Sequence, residues 1–245
     1  IAEQWRGVCR VDTIGFCEQG RAVLVLKISD NPQADEPEPE VMLTSSIHGD
    51  ESAGFVLLMR LAEYLASGGS SSGAPATTDL VSGLEIWINP LANPDGMYRN
   101  SDTMTYPVRA NSNGYDLNRN FPDPEVGAPP PLQQETIDMI RFLRERRFTL
   151  SLGLHGGAEV VNYPWDKWTR DHPDDTWFNS ISRRYADTVH LHAEPGYMTF
   201  LDNGVTKGWV WYVVKGGRQD FVTWGLGGRE VTVEIDDTKM TPGSN

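Results

Sequence analysis

The sequence predicts a single α/β domain with a mixed, mainly parallel twisted sheet that is flanked by helices on both faces. Two observations favour this fold class. Strand-like apolar segments alternate with segments of helical periodicity along the chain, which is typical of parallel sheets. No internal repeat or second domain boundary divides the 245 residues, and that length suits one α/β domain.

The expected strands are short runs of branched aliphatic and aromatic residues, as a pleated and buried surface favours. They are predicted at residues 21–29, 41–48, 84–89, 148–154, 209–214 and 230–235.

Helices are predicted where apolar residues recur at helical spacing, as Phe55, Leu58, Leu61 and Leu65 do. The predicted helices cover residues 51–66, 133–147 and 177–189, and residues 1–6 are expected to be the end of another. Loops are expected at residues 67–83 and 97–132, and the second includes three consecutive prolines at 129–131.

Composition limits the possible partners. The formal net charge of −13 argues against nucleic acid or an anionic membrane, because both attract basic surfaces. No apolar run approaches the length of a membrane span, and no signal peptide is recognised. Because the chain begins at Ile1, we expect a processed or trimmed segment. Cys9 and Cys17 either form one disulfide bridge or remain buried thiols.

Four residues with metal or acid–base chemistry lie at the ends of predicted strands. His48 and Glu51 form an H-x-x-E pair, and His155 and Glu234 lie near the ends of two later strands. Ligands collect at the carboxyl ends of parallel strands, so we expect these residues to share one site. Two histidines and a glutamate make an open catalytic zinc site. Alternatively, Glu51 only stabilises a helix N-terminus.

Glu234 is the candidate general base, since a carboxylate among the apolar residues of a strand needs a partner or a task. One polar loop between Glu51 and His155 contains Arg109, Asn118 and Arg119. An Asn-Arg pair can hold a free carboxylate, and a second arginine can stabilise an oxyanion. A loop of solvated arginines is the alternative interpretation.

Ordered motifs along nearly the whole chain resemble those of the M14 (carboxypeptidase A) family of zinc carboxypeptidases, closest to its N/E regulatory-type branch. The matching pieces are H-G-D-E at 48–51, N-P-D-G at 93–96, D-L-N-R-N-F-P-D at 116–123, L-H-G-G at 154–157, N-Y-P-W-D at 162–166, the segment 204–220 and E-V-T-V-E at 230–234.

The resemblance implies roles for individual residues. His48, Glu51 and His155 would bind one zinc ion per chain, and Glu234 would be the general base. Arg109 would polarise the substrate carbonyl, while Asn118 and Arg119 would hold a terminal carboxylate. Residues 1–245 would be a catalytic domain that is trimmed at both ends. Counting back from Glu234 places the family's active-site tyrosine at Thr223.

The expected function is hydrolysis of the C-terminal residue of a peptide or protein, by a water that zinc and Glu234 activate. Asp166 lies where the basic-specific branch carries its pocket aspartate, so the resemblance implies a preference for Lys or Arg. A solvated Asp166 paired with Lys167 is the alternative. An amide hydrolase acting on peptidoglycan stem peptides or N-acyl amino acids, and a non-catalytic binding module, are further hypotheses. We expect a secreted or periplasmic location.

Overall fold

The computed structural model describes residues 1–69, 76–125 and 131–240. In these ranges the strands are β1 (Cys9–Phe16), β2 (Ala22–Ile28), β3 (Glu40–Ser45), β4 (Glu85–Asn89), β5 (Phe148–His155), β6 (Ala158–Tyr163), β7 (Val205–Lys207) and β8 (Glu230–Asp236). The helices are α1 (Ala53–Ala66), α2 (Thr78–Val81), α3 (Pro94–Tyr98), α4 (Gln134–Glu145), α5 (Asp175–His192), α6 (Phe200–Gly204), α7 (Gly208–Trp211) and α8 (Arg218–Asp220). A 3₁₀ turn at Leu117–Arg119 and a π-helical turn at Phe221–Gly225 complete the elements.

The strands form one sheet in the order β1-β2-β4-β3-β5-β8-β6-β7. Its centre is parallel, because β3 pairs in parallel with both β4 and β5, and β5 pairs in parallel with β8. Antiparallel pairs flank this centre: β1 with β2, β2 with β4, and β6 with β8. The predicted mixed, mainly parallel sheet is therefore confirmed.

Helices cover both faces of the sheet. Successive side chains of a strand point to opposite faces, and in β3 Met42 belongs to a different apolar cluster from Val41 and Leu43. The cluster beside Val41 and Leu43 includes residues of α1 and α5, and the Met42 cluster includes residues of α4. This two-sided burial explains why the central strands are almost continuously apolar.

Most predicted elements are present with ends shifted by a few residues. Two predictions are wrong. Residues 209–214 do not form a strand but belong to helix α7 and the extended segment after it, and residues 1–6 form turns. Strands β1, β6 and β7 were not predicted. Residues 70–75 of the first predicted loop and 126–130 of the second lie outside the described residues.

Both cysteines are free and buried, so the interpretation as buried thiols is confirmed. Burial raises the pKa of Cys9 to about 11, which keeps its sulfur protonated. The pKa of Cys17 is also raised, by burial and by the nearby Glu135 carboxyl.

A buried ion pair joins β2 and β4 and also holds the segment that precedes β3. Lys27 of β2 and Glu85 of β4 lie 2.7 Å apart, with side chains 0% and 1% exposed. Glu85 also accepts a hydrogen bond from the backbone N–H of Glu36, and Lys27 donates to the Ala34 carbonyl. The pair therefore ties two neighbouring strands to the segment that leads into β3.

Glu85→Ala is expected to lower the free energy of unfolding by about 3–5 kcal/mol, because it leaves the Lys27 ammonium buried without its partner. The matched control is Asp35→Ala, which removes the other carboxylate near Lys27. Asp35 is 66% exposed, so its loss should cost less than about 1 kcal/mol. Urea unfolding of the three proteins measures both values. Equal losses in the two variants would contradict the assignment of the buried pair.

Candidate active site

The parallel pairing of β3 with β5 brings the three predicted metal ligands together. The two strands stay in register up to Ser45 and Leu154, so their carboxyl ends lie at the same edge of the sheet. His155 is the last residue of β5, and His48 and Glu51 lie in the turn between β3 and α1. Residues more than a hundred positions apart therefore become neighbours.

The donor atoms of this triad converge on one point. Glu51 Oε1 lies 2.9 Å from His48 Nδ1, and Glu51 Oε2 lies 3.0 Å from His155 Nδ1. The two Nδ1 atoms are 3.2 Å apart. All three side chains are buried. Burial alone would raise the pKa of Glu51, but contacts with His155 and His48 outweigh it and hold that pKa well below its usual range.

Asp116 orients the first histidine and the nearby arginine. Its Oδ1 lies 3.1 Å from His48 Nε2, which leaves Nδ1 directed at the centre of the triad. Its Oδ2 accepts a 2.9 Å hydrogen bond from Arg109 Nε. The guanidinium consequently lies at the triad, with Nη1 3.5 Å from Glu51 Oε1.

Glu234 faces the same point from the next strand. It pairs with His155 in the register of β5 and β8. The side chain is 8% exposed, and its Oε2 has no hydrogen-bond partner among the described residues. Burial, with a smaller contribution from the Glu51 carboxylate, raises the pKa of Glu234 to about 7. A carboxyl group with a pKa near neutrality is suited to accept and return a proton.

Asp166 lines the same site and is 5% exposed. Its Oδ1 accepts a 2.8 Å hydrogen bond from Gln219 Nε2, and its backbone N–H donates to Asp220 Oδ1. Burial and the Asp220 carboxylate raise the pKa of Asp166. Lys167 does not pair with it but contacts Asp123 and Glu125. The interpretation of Asp166 as a solvated residue paired with Lys167 is therefore wrong.

One cleft of about 170 Å³ joins these groups. Most of the residues singled out from the sequence line it. They are His48, Glu51, Arg109, Asn118, His155, Asp166 and Glu234, and they are joined by Asn162, Trp211, Tyr212 and Lys239 among others.

The model of the zinc carboxypeptidase family (Peptidase_M14) matches residues 1–245. The chain belongs to this family. Sequence relatives include carboxypeptidase D of Mus musculus, 36% identical over 98% of this chain but only 18% of the relative's length. Carboxypeptidase SOL1 of Arabidopsis thaliana is 35% identical over 97% of the chain and 48% of its own length. The human carboxypeptidase N catalytic chain is 33% identical, with coverages of 99% and 61%. The resemblance to the N/E regulatory-type branch is confirmed.

Solved structures show the same fold. Carboxypeptidase A from Helicoverpa armigera superposes with a TM-score of 0.80 at 21% identity, over 96% of this chain and 61% of that one. Thrombin-activatable fibrinolysis inhibitor gives a TM-score of 0.79 at 18% identity, with coverages of 97% and 64%. The chain spans less than two thirds of the length of each of these proteins.

Zinc is the metal of the zinc carboxypeptidase family, and the residues at the triad fit it. Two imidazole nitrogens and one carboxylate oxygen form a donor set that zinc accepts in catalytic sites. The ligand atoms of His48, Glu51 and His155 all lie within 4.8 Å of one another. The predicted cofactor thus agrees with both the family and the geometry.

The zinc carboxypeptidase cleft contains a tyrosine, but not where the count from Glu234 predicted it. Thr223 is 5% exposed and is not among the cleft residues. Tyr212, in the extended segment after α7, lines the cleft with 44% of its surface exposed. The assignment of the tyrosine position to Thr223 is therefore wrong. Tyr212 lies eight residues before Asp220. The sequence analysis predicted a strand for this segment, and so did not place Tyr212 in the cleft.

Arg119 lies beside the cleft but is not among its lining residues. Its Nη1 donates a 2.9 Å hydrogen bond to the Asn118 carbonyl, so contact with a substrate stays a prediction. Sequence reasoning missed the roles of Asp116 and Gln219. Asp116 belongs to the D-L-N-R-N-F-P-D motif, which was the available signal, whereas Gln219 acquires its position only through its contact with Asp166.

His155→Ala is expected to lower bound zinc from one equivalent per chain to a small fraction of one, because one of three protein ligands is removed. The control is His192→Ala, which removes an exposed histidine at the end of α5. Metal analysis after dialysis against zinc-buffered solution measures both. A full equivalent retained by His155→Ala would remove His155 from the site.

Proposed function

We propose that this domain removes the C-terminal residue of peptides or proteins and prefers Lys or Arg at that position. The observation that carries the proposal is the buried Asp166 carboxylate, which shares one cleft with the metal triad and Glu234. Membership of the zinc carboxypeptidase family supports the reaction class. The relatives named carboxypeptidase are longer than this chain, so the activity is a proposal for it.

The terminal carboxylate of the substrate would be held by polar groups of the loop at residues 109–119. Asn118 lines the cleft, and its Oδ1 already accepts the backbone N–H of Arg218. This contact fixes the amide plane and leaves its NH₂ group as the donor to substrate. Arg119 would add a bidentate charge if it turned from the Asn118 carbonyl towards the cleft.

Arg109 has a different task because of its position. Asp116 holds its guanidinium beside the triad, where the scissile carbonyl would lie. A fixed positive charge there would stabilise the oxygen as negative charge develops on it. A zinc ion held by the triad would supply Lewis-acid activation of the same carbonyl and of the attacking water.

Glu234 would take the proton from the attacking water and return it to the leaving amine. Its burial and its pKa of about 7 suit both steps, since the carboxyl can exist in either form near neutral pH. The Oε2 atom has no partner among the described residues, so it remains available for a water or a substrate amine.

Side-chain selection would come from Asp166. No cation forms an ion pair with its carboxylate in the described parts of the chain, and Lys167 is held by Asp123 and Glu125. A Lys or Arg side chain entering the cleft would supply the missing positive charge in a water-poor environment. A neutral side chain would leave the carboxylate unmatched, which favours basic residues.

The other hypotheses have less support. A non-catalytic binding module would have no use for a buried Glu234 beside an intact triad. An amide hydrolase acting on peptidoglycan stem peptides or N-acyl amino acids would use the same groups, and no particular contact in the cleft favours it. Product analysis with peptides and with N-acyl amino acids separates the two activities.

The partner, the extent of the domain and the cellular location of the protein remain predictions. We keep peptide or protein C-termini as the partner, a catalytic domain at residues 1–245, and a secreted or periplasmic location. None of the helices in the described ranges has both the length and the apolar character of a membrane span.

Glu234→Gln is expected to lower kcat by about 10²–10⁴-fold, because an amide cannot accept the proton of the water. Zinc content and peptide binding should be unchanged. The control is Glu194→Gln, an exposed glutamate after α5. Steady-state kinetics with a peptide ending in Arg, together with metal analysis, measures the effect. Activity within a few-fold of the parent protein would exclude Glu234 as the general base.

Asp166→Ala is expected to lower kcat/KM at least tenfold for a peptide ending in Arg and to change it much less for a matched peptide ending in Leu. The control, Asp171→Ala, removes an aspartate that is 61% exposed and pairs with Lys207. Rates for matched peptides ending in Arg, Leu and Glu decide the matter. If the parent does not favour Arg, or if Asp166→Ala keeps the parent's ranking, Asp166 is not the selector.

A further inference from the structure

A small cavity lies beside the metal ligand His155. Its volume is about 10 Å³, and its lining includes Gly153 and His155 of β5, Glu230 of β8, and Arg218 and Gln219 of α8. All five residues are buried. Such a lining is unusual, because charged side chains are rarely buried unless they have partners.

The glycine of β5 provides part of this space. Residues alternate between the two faces of a strand, so Gly153 and His155 are on one face of β5. In the register of β5 and β8, Thr232 lies opposite Gly153, so Thr232 and Glu230 are on the same face. A Cβ at Gly153 would lie 3.9 Å from both Nε2 and Cδ2 of His155, and outside the adjoining residues it would meet no other described atom within 4 Å. The missing methyl group therefore leaves open space next to the Nε2 edge of the imidazole ring.

The Nε2 atom of His155 needs an acceptor. The ring faces the triad through Nδ1, which lies 3.0 Å from Glu51 Oε2. Nε2 makes no hydrogen bond to any residue in the described ranges, whereas Nε2 of His48 lies 3.1 Å from the Asp116 carboxylate. A histidine that binds a metal through one ring nitrogen almost always donates its other N–H to a carboxylate, a carbonyl or a water, and this contact fixes the ring. For His155 the acceptor must lie in the cavity.

The cavity offers polar atoms that could hold such an acceptor. Glu230 Oε2, Gln219 Oε1, and Nε and Nη2 of Arg218 are buried and have no aligned hydrogen bond within the described part of the chain. Arg218 Nη2 lies 3.2 Å from Glu230 Oε2, which is an ion-pair distance. Buried polar atoms are normally bonded to protein or to ordered water. One water needs roughly 10–15 Å³ and two to four polar partners, so both the volume and the lining of this cavity suit a single water.

We propose that Glu230 is the positioning residue of the zinc ligand His155 and acts through one water in this cavity. The water would accept the Nε2–H of His155 and donate to Glu230 Oε2, while Arg218 holds the carboxylate in place. His155 would then have an indirect carboxylate partner, as His48 has a direct one in Asp116. The inference concerns metal binding and does not depend on which substrate the domain cleaves.

A crystal structure of the zinc-loaded protein at high resolution tests the water directly. We expect one ordered water at about 2.7–3.2 Å from His155 Nε2 and within hydrogen-bond reach of a Glu230 oxygen. Density without a water at this position would overturn the inference. So would a direct hydrogen bond from Nε2 to another protein group.

Gly153→Ala fills the cavity without removing any polar group. Its methyl group would make only ordinary contacts with His155, so the ring should keep its place and lose the water. We expect the dissociation constant for zinc to rise roughly 10- to 100-fold, the usual effect of losing such a partner. The urea midpoint of the zinc-free protein should not fall, because alanine is favoured over glycine inside a strand.

The control for this variant is Ser151→Ala, two residues earlier in β5. Ser151 is fully buried, and its hydroxyl has no hydrogen-bond partner among the described residues and does not line the cavity. Its loss should leave the dissociation constant for zinc unchanged. An unchanged constant in Gly153→Ala, or an equal rise in both variants, would overturn the inference.

Two double variants separate the acceptor from the buried charge. Arg218→Met with Glu230→Gln and Arg218→Met with Glu230→Leu both remove the ion pair, and their side chains at position 230 are of similar size. Only Gln keeps an oxygen that can accept from the water, so the Leu variant should bind zinc roughly tenfold or more weakly than the Gln variant. Equal dissociation constants for zinc would overturn the inference. If either variant fails to fold, the comparison of Gly153→Ala with Ser151→Ala decides.

Discussion

The parallel pairing of β3, β5 and β8 is the constraint on which the site depends. It brings the ends of three strands to one edge of the sheet, and the register aligns Ser45 with Leu154 and His155 with Glu234. A slip by one residue would turn His155 or Glu234 to the opposite face, because side chains alternate along a strand. Such a slip would also exchange the side chains that pack on the two faces, as Met42 with Val41 and Leu43, and so disrupt the packing of both apolar clusters.

The site buries several carboxyl groups, and their burial is energetically unfavourable. Asp166, Asp220 and Glu230 are each at most 5% exposed, and burial raises the pKa of all three. The fold compensates in part through Arg218, which lies 3.2 Å from Glu230, and through the backbone N–H groups that donate to Asp220. The Asp166 carboxylate is held by the side-chain amides of Gln219 and Asn162, and no Lys or Arg of the described residues forms an ion pair with it. The proposed preference for a cationic side chain rests on this incompletely compensated carboxylate.

The cleft combines polar groups that are held in place with exposed aromatic side chains. Asp116, the triad and the Asp166 pocket are fixed by hydrogen bonds at the edge of the sheet. Trp211 and Tyr212 line the same cleft, and Trp211 also contacts the exposed ring of Phe200. Both directional polar contacts and less directional apolar contacts are therefore available to a ligand in the cleft.

The sequence by itself determined the fold class, the central strands, the three long helices, and the residues of the metal triad with Glu234. These features depend on local apolar periodicity, or on motifs whose members lie close together in the chain. Tertiary structure decided the rest. Residues 209–214, which include Tyr212, form the end of α7 and an extended segment instead of a strand, because distant contacts override the strand preference of their aromatic and β-branched side chains. Gln219 and Asp166 are 53 residues apart in sequence and come into contact only in the folded chain. The local sequence pattern around either residue does not predict such a contact.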